Sequence, residues 1–274
     1  MSGEKELWDP RKLERSLRAA KASPKLTHEI LGHIEKDLRD GMRTDDIYSH
    51  AFVLLKEYDR PAASQYSLRR AIMQLGPSGF PFEKFVAQIL RAQGFQTKVG
   101  TIVRGACVDH EVDVVAEKAD ERILVEAKFH NSPDIKSDVK VALYVHARFQ
   151  DIEKRLENQD GDEHFNRAWL ITNTNFTSQA IQYGNCAGLS LTGWNYPKGR
   201  TLQDLVQETQ THPVTCLTTL SDPQKSRLLE SGIVLCTDVM SNTNTLKRIG
   251  VSNANIDAIV QEGASLCPLP PPKT

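Results

Sequence analysis

Two runs rich in β-branched and apolar residues, VDVVA (112–116) and ILVEAKF (123–129), flank the short segment EKADER. Such a pattern predicts two strands joined by a tight turn near residues 119 and 120. In that hairpin Asp113 lies opposite Glu126. Lys128, two residues further on, shares the face of Glu126. Val112, Val114, Ile123, Val125 and Ala127 fall on the other face, where they can pack into a core. One hairpin thus buries apolar side chains and presents two carboxylates and an ammonium together.

Neighbouring carboxylates repel, and a cation between them relieves the cost. Oxygen ligands in a partly hydrated site suit Mg²⁺ or Mn²⁺. Such an ion orients and polarises a phosphodiester and helps to generate hydroxide. Lys128 is suited to position or deprotonate a water, or to stabilise charge on the phosphoryl oxygens. Spacing by itself also leaves open a surface hairpin with cross-strand ion pairs.

The surrounding pattern predicts an α/β core between two helical segments. Residues 10–75 read as helices, with Leu13, Leu17 and Ala20, then Ile30 and Ile34, at helical spacing. Thr44, followed by Asp45 and Asp46, reads as an N-cap, and Pro61 as the start of a fourth helix. GPSGF (76–80) is a break. After it come a helix ending near Gly94, the hairpin, and a helix over about 136–157. Its expected core face is Val139, Leu143, Val145, Phe149, Ile152 and Leu156. A loop (158–164), a strand (168–172), a helix (177–184), a strand (189–194) and a helix (201–208) follow. From about 213 the chain is helical again, interrupted by glycine turns at 230–234 and 248–252. The domains expected are 1–77, 78–210 and 213–267, with a disordered tail at 268–274.

The 274 residues carry a formal net charge of -1, so a nucleic-acid ligand would need a local basic patch. The start, MSGEKELWDP, has no apolar run of the signal-peptide kind, and no stretch approaches the roughly 18 apolar residues that span a bilayer. Cys107, Cys186, Cys216, Cys236 and Cys267 are odd in number and widely spaced. That argues against a zinc ribbon or a disulfide framework and points to a cytoplasmic protein without a membrane partner.

HEVDVVA and ILVEAKFHN resemble the PD-(D/E)xK nuclease signature, in the branch similar to Mrr-type restriction endonucleases. GFPFEKFVAQILRAQGF resembles that family's first helix, and Glu83 matches the acidic residue that often completes its metal site. AWLITNTNFTSQAIQYG resembles the later strand and helix, so the likeness covers about residues 79–208. It implies a central mixed sheet flanked by helices, with Asp113, Glu126, Lys128 and Glu83 catalytic. Asp113, Glu126 and Glu83 would hold Mg²⁺ or Mn²⁺, and DNA would be the substrate. The chain departs from the family in carrying Glu126 where Gln is frequent, and His110-Glu111-Val112 in place of a Gly-Gly-Ile run. A preference for modified DNA is therefore not carried over. A double-strand cut calls for two active sites, which points to a homodimer.

Lys136, Lys140 and Arg148 on the next helix, with His110 and His130, form the expected path for DNA phosphates. Thr172 to Asn175, at a strand end, suit either ligand contact or a turn. The N-terminal segment resembles an ATP-cone domain in the Gly3 turn, the basic helix opening at Arg11 and Lys12, and the run Tyr66-Ser67-Leu68-Arg69-Arg70. The resemblance implies ATP or dATP as a regulatory ligand held by Gly3, Arg11, Lys12, Arg69 and Arg70. The usual cone opens with a basic strand before the glycine, whereas this chain starts at Met1-Ser2-Gly3. A four-helix interaction module is the alternative. The C-terminal helices resemble helix-hairpin-helix units in which Gly232 and Gly250 let backbone amides approach phosphates. The function that follows is a metal-dependent DNA endonuclease. The alternative is an inactive nuclease fold that binds DNA or senses nucleotide.

Overall fold

The computed structural model describes residues 7–157, 164–241 and 243–266. Gly3, residues 158–163 of the expected loop and the tail 268–274 lie outside them. The chain forms two compact units, Met1–Arg70 and Ala71–Thr274.

The first unit is helical. Helix α1 (Pro10–Ala19) is capped by Asp9, whose carboxylate accepts from Arg11 N at 3.0 Å; α2 (Pro24–Asp37) is capped by Ser23, which accepts from Leu26 N at 3.2 Å. Helix α3 (Thr44–Tyr58) begins one residue earlier than the Thr44 cap predicts. Arg43 is its N-cap, and Asp46 reaches back to the Arg43 N–H at 3.3 Å. Helix α4 spans Arg60–Met73. Leu13, Leu17, Ile30, Ile34, Ala51 and Leu55 form the buried centre, and Tyr66 stacks on Tyr48 with ring centroids 4.8 Å apart.

The second unit holds a five-stranded mixed sheet flanked by helices, as the sequence predicts. Strands β1 (Gln96–Arg104), β2 (Asp109–Lys118), β3 (Glu121–Lys128), β5 (Arg167–Thr172) and β7 (Ser190–Thr192) lie in that spatial order. The pairs β1–β2 and β2–β3 are antiparallel, whereas β3–β5 and β5–β7 are parallel. Helix α5 (Phe80–Ala92) packs against β1, β2 and β3, and α6 (Val139–Glu157) against β1 and β5. Val112, Val114, Ile123, Val125 and Ala127 are buried as expected, and so are Val115 and Leu124. Helices thus cover both faces of the hairpin, and its polar residues can be reached only where that cover ends.

The long helix differs from the expectation at both its start and its buried face. Lys136–Ser137 is a short strand, β4, paired in parallel with β6 (Asn175–Phe176). Along α6 the buried residues are Ala142, Val145, Arg148 and Ile152, while Leu143 is exposed. Val145 and Ile152 are buried as expected and Phe149 and Leu156 pack partly buried against the same core, so Leu143 is the expected member that faces outward, while Ala142 and Arg148 are buried in addition.

Thr172, Asn173 and Thr174 are buried and structural, not exposed at a ligand-facing edge. Asn173 bridges the chain just after β3, accepting from His130 N at 2.8 Å and donating to His130 O at 2.8 Å. Ser137 sits between His130 Nε2, at 2.9 Å, and Thr172 Oγ1, at 3.3 Å. This network ties β3, β4 and β5 at one corner of the sheet. Gly76 meets the same corner: a Cβ there would lie 2.6 Å from the Phe129 ring.

Helix α7 (Ser178–Cys186) packs on α6 and helix α8 (Leu202–Thr209) on α5. A 3₁₀ turn (Val214–Cys216) leads into α9 (Asp222–Glu230), α10 (Cys236–Ser241), α11 (Thr243–Arg248) and α12 (Asn253–Leu266). Gly232 and Gly250 have φ of +80° and +86°, which glycine adopts without strain. Their amides are spent inside the turns, on Leu229 O and Lys247 O. Cys107 and Cys186 are free thiols, whereas Cys236 is disulfide-bonded. Spacing along the chain did not show this, because disulfide pairing depends on three-dimensional proximity.

Glu262 ties this helical region together. It is 6% exposed and accepts from Thr218 N at 2.9 Å, Thr219 N at 2.9 Å, Thr219 Oγ1 at 2.6 Å and Thr218 Oγ1. Burial pushes its pKa up, the four hydrogen bonds outweigh that, and the net shift is downward. A depressed carboxyl stabilises the fold above its unfolded pKa, and this contribution is lost as the pH falls through the folded value. Glu262→Ala is expected to cost about 2–4 kcal/mol in urea unfolding at neutral pH, with the difference from wild type shrinking under acid. Asn173→Ala should cost about 2–3 kcal/mol, because it leaves the N–H and C=O of His130 unpaired; thermal melts followed by circular dichroism check this.

Candidate nuclease site

The β2–β3 ladder runs from Lys118↔Glu121 to Val114↔Val125 and stops there. Continued by one residue, the register sets Asp113 opposite Glu126, as the hairpin argument requires. Beyond that point β2 stays with β1 as far as Asp109, and β3 stays with β5 as far as Lys128. The two strands therefore part at Asp113 and Glu126. Asp113 closes the fork, its Oδ2 accepting from Ala127 N at 2.7 Å in place of a backbone carbonyl. An unpaired amide inside the sheet is satisfied by a carboxylate that remains open on its second oxygen.

Asp113 and Glu126 are partly buried, and Glu83 is half-buried in the first turn of α5. Burial raises the Asp113 pKa, against the Ala127 amide and Arg148. It also raises that of Glu126, with Asp113 adding to the effect and Arg148 opposing it. Glu83 is pushed up to about 7, first by burial and then by the charges of Asp113, Glu111 and Glu126. Glu83 therefore feels the field of both hairpin carboxylates. Glu111 joins this acidic field from an exposed position on β2 that the sequence reading assigned no role. Lys128 is half-buried at the end of β3.

The donor set is all oxygen, and it is strained by burial and mutual repulsion. Both features fit a hard divalent cation. Among the described residues, however, no three His, Cys, Asp or Glu side chains converge closely enough to hold an ion. The charge that meets Glu126 is Arg148, whose Nη1 donates to Glu126 Oε2 at 2.5 Å.

The residues expected along the DNA path are spread over several environments. Arg148 is buried against Glu126. His110 Nε2 lies 2.8 Å from Asp151 Oδ2. Asp151 also accepts from Cys107 N at 2.9 Å and Val108 N at 3.3 Å. The hydrogen bond with His110 leads the causes that hold the Asp151 carboxyl well below the usual range. His110 thus helps to fasten the β1–β2 turn to α6. His130 is half-buried on Ser137, with its pKa lowered by burial and then by Lys128. Lys136, on β4, and Lys140, on α6, are exposed. The sequence signal for Arg148 was present in its spacing: it falls three residues after Val145 and four before Ile152, on the inward stripe.

In the first unit, Arg11 is exposed and its Nε is 2.9 Å from Asp9 Oδ1. The Arg70 guanidinium lies 4.6 Å from the Tyr48 ring centre. A surface cleft of about 510 Å³ is lined by Asp9, Arg11, Glu14, Arg15 and Arg18. Of the residues expected to bind nucleotide, Arg11 is the one on its wall; Gly3 lies outside the described residues. No described helix is long and apolar enough to cross a membrane.

Residues 76–195 match the restriction endonuclease domain of the Mrr catalytic type, and residues 212–267 match the AF1548-like C-terminal domain. An uncharacterized protein of Archaeoglobus fulgidus is 37% identical over 178 residues, which cover 65% of this chain and 97% of that protein. The crystal structure of AF1548, described as a protein of unknown function, has 35% sequence identity. It covers 69% of this chain and 98% of that chain, with a TM-score of 0.57. The fork with its acidic residues lies inside the restriction endonuclease match and the Glu262 region inside the C-terminal one, and the chain belongs to the AF1548-like family of proteins with a restriction endonuclease domain.

Proposed function

We propose that this protein is a divalent-metal-dependent DNA endonuclease whose active site is the fork between β2 and β3. The observation that carries this is the parting of the strands at Asp113 and Glu126, with Lys128 two residues on and Glu83 in their field, inside a restriction endonuclease domain. Asp113, Glu126 and Glu83 are the residues to hold Mg²⁺ or Mn²⁺. Bound there, the ion would supply a polarised phosphoryl group and a more acidic water. Asp113 keeps one oxygen on Ala127 N, which restrains its plane and would leave the other for the ion. Lys128, carried on the same strand as Glu126, would offer a cation to the phosphoryl oxygens. Exposed Lys136 and Lys140 would contact backbone phosphates and make binding depend on salt.

The expected result is that Asp113→Asn and Lys128→Ala each lower cleavage of plasmid DNA in Mg²⁺ or Mn²⁺ by about 10²–10³-fold or more, with far-ultraviolet circular dichroism unchanged. Undiminished cutting by purified Asp113→Asn would remove the site from the fork. A wild type that binds DNA but cuts no linear, supercoiled, branched or methylated form would favour the inactive, DNA-binding alternative.

A regulatory nucleotide site in the first unit is the second part of the reading, and it rests on the likeness of the N-terminal segment to an ATP-cone domain. Calorimetry with ATP and dATP should show saturable heat that Arg11→Ala reduces; no heat at millimolar nucleotide would leave this unit as an interaction module.

A further inference from the structure

We propose that Arg148 is a built-in competitor of the divalent ion: its guanidinium neutralises Glu126 in the ion-free protein and weakens that carboxylate's hold on the ion until it moves away. The inference rests on the metal-dependent reading above. It starts from an arrangement that an ordinary ion site does not need.

Glu126 and Arg148 are 12% and 7% exposed, and Arg148 Nη1 donates to Glu126 Oε2. Arg148 comes from the inward stripe of α6, where its neighbours Ala142, Val145 and Ile152 are core residues. An arginine on such a stripe costs desolvation, which only a close anion offsets. The acidic residues of the fork supply that anion. Charges repelling in a half-buried site need a cation, and among the described residues they do not converge on a point that an ion could occupy. The guanidinium takes the place where the ion's charge is needed.

Two further features make the contact releasable. Arg148 Nε is buried with no hydrogen-bond partner among the described residues, so the guanidinium is not fully satisfied where it sits. Its outer side rests on the Tyr144 ring, 4.3 Å from the ring centre, and Tyr144 is itself 53% exposed. A cation stacked on an exposed aromatic ring has a path outward that keeps one favourable contact. Ion and guanidinium would then compete for the charge of Glu126, and the apparent affinity for the ion is lowered to the extent that Arg148 holds that carboxylate.

The test is calorimetric titration of Mn²⁺ into the full chain, wild type against Arg148→Gln and Arg148→Met, without DNA. Removing the competitor should tighten Mn²⁺ binding by about fivefold or more, and Mn²⁺ should raise the melting temperature more in the variants than in wild type. Equal or weaker binding by the folded variants overturns the competition and leaves the nuclease reading standing. No Mn²⁺ binding by wild type or variants overturns the metal site itself. Should both variants fail to fold, side-chain ¹⁵N spectra of wild type decide: the Arg148 guanidinium signals should move or exchange faster as Mg²⁺ saturates. Unmoved signals at saturation overturn the proposal.

Discussion

The separation of β2 from β3 after Val114 and Val125 is the constraint on which the candidate site depends. Each strand keeps its other neighbour, so the sheet is not broken; it is split at one seam. A seam within a sheet leaves amides without partners, and burying them unpaired is costly. Asp113 answers that need with one oxygen, which locks its own orientation. The same parting exposes polar side chains that would otherwise lie between the helices covering the hairpin. Structural repair and chemical display thus come from one residue.

Electrostatics sets the second layer. Burial raises the pKa values of Asp113, Glu126 and Glu83, and the acidic groups raise one another further. A cluster of this kind persists only when cations lie close enough to compensate. Arg148 and Lys128 do so from different elements, one reaching in from α6 and the other borne on β3. Positive charge at the fork therefore comes from a buried arginine and a half-buried lysine.

Buried polar anchors hold the frame around the fork. Asn173 pins the backbone of His130, and Ser137 connects His130 with Thr172, so the end of β3 is held from β4 and β5. Asp151 does the same for the β1–β2 turn through His110 and two backbone amides. Glu262 repeats the device in the C-terminal helices, where short elements bury little apolar surface each and a four-bond carboxylate fixes their joint. In every case a polar side chain spans elements distant in sequence, with hydrogen bonds that depend on geometry as well as proximity.

The hairpin itself was legible in the amino-acid order. Alternation over 112–116 and 123–129, with a turn at 119 and 120, determines the register, and register determines that Asp113 faces Glu126 with Lys128 on the same side. Period-two side-chain placement is local, so sequence suffices for it. The helices were legible for the same reason, from Leu13 and Leu17 to Val145 and Ile152. The spacing of Arg148 set it on the inward stripe with Val145 and Ile152, but sequence could not show the buried carboxylate that it meets, and Arg148 read as a surface residue for that reason. Nor could it show that Thr172 and Asn173 are buried, that His110 is spent on Asp151, or that the ladder ends at Val114. Those facts depend on what lies across the sheet or over it. Local periodicity fixes the face of a side chain, whereas burial and partner choice are settled by elements that meet only after the chain has folded.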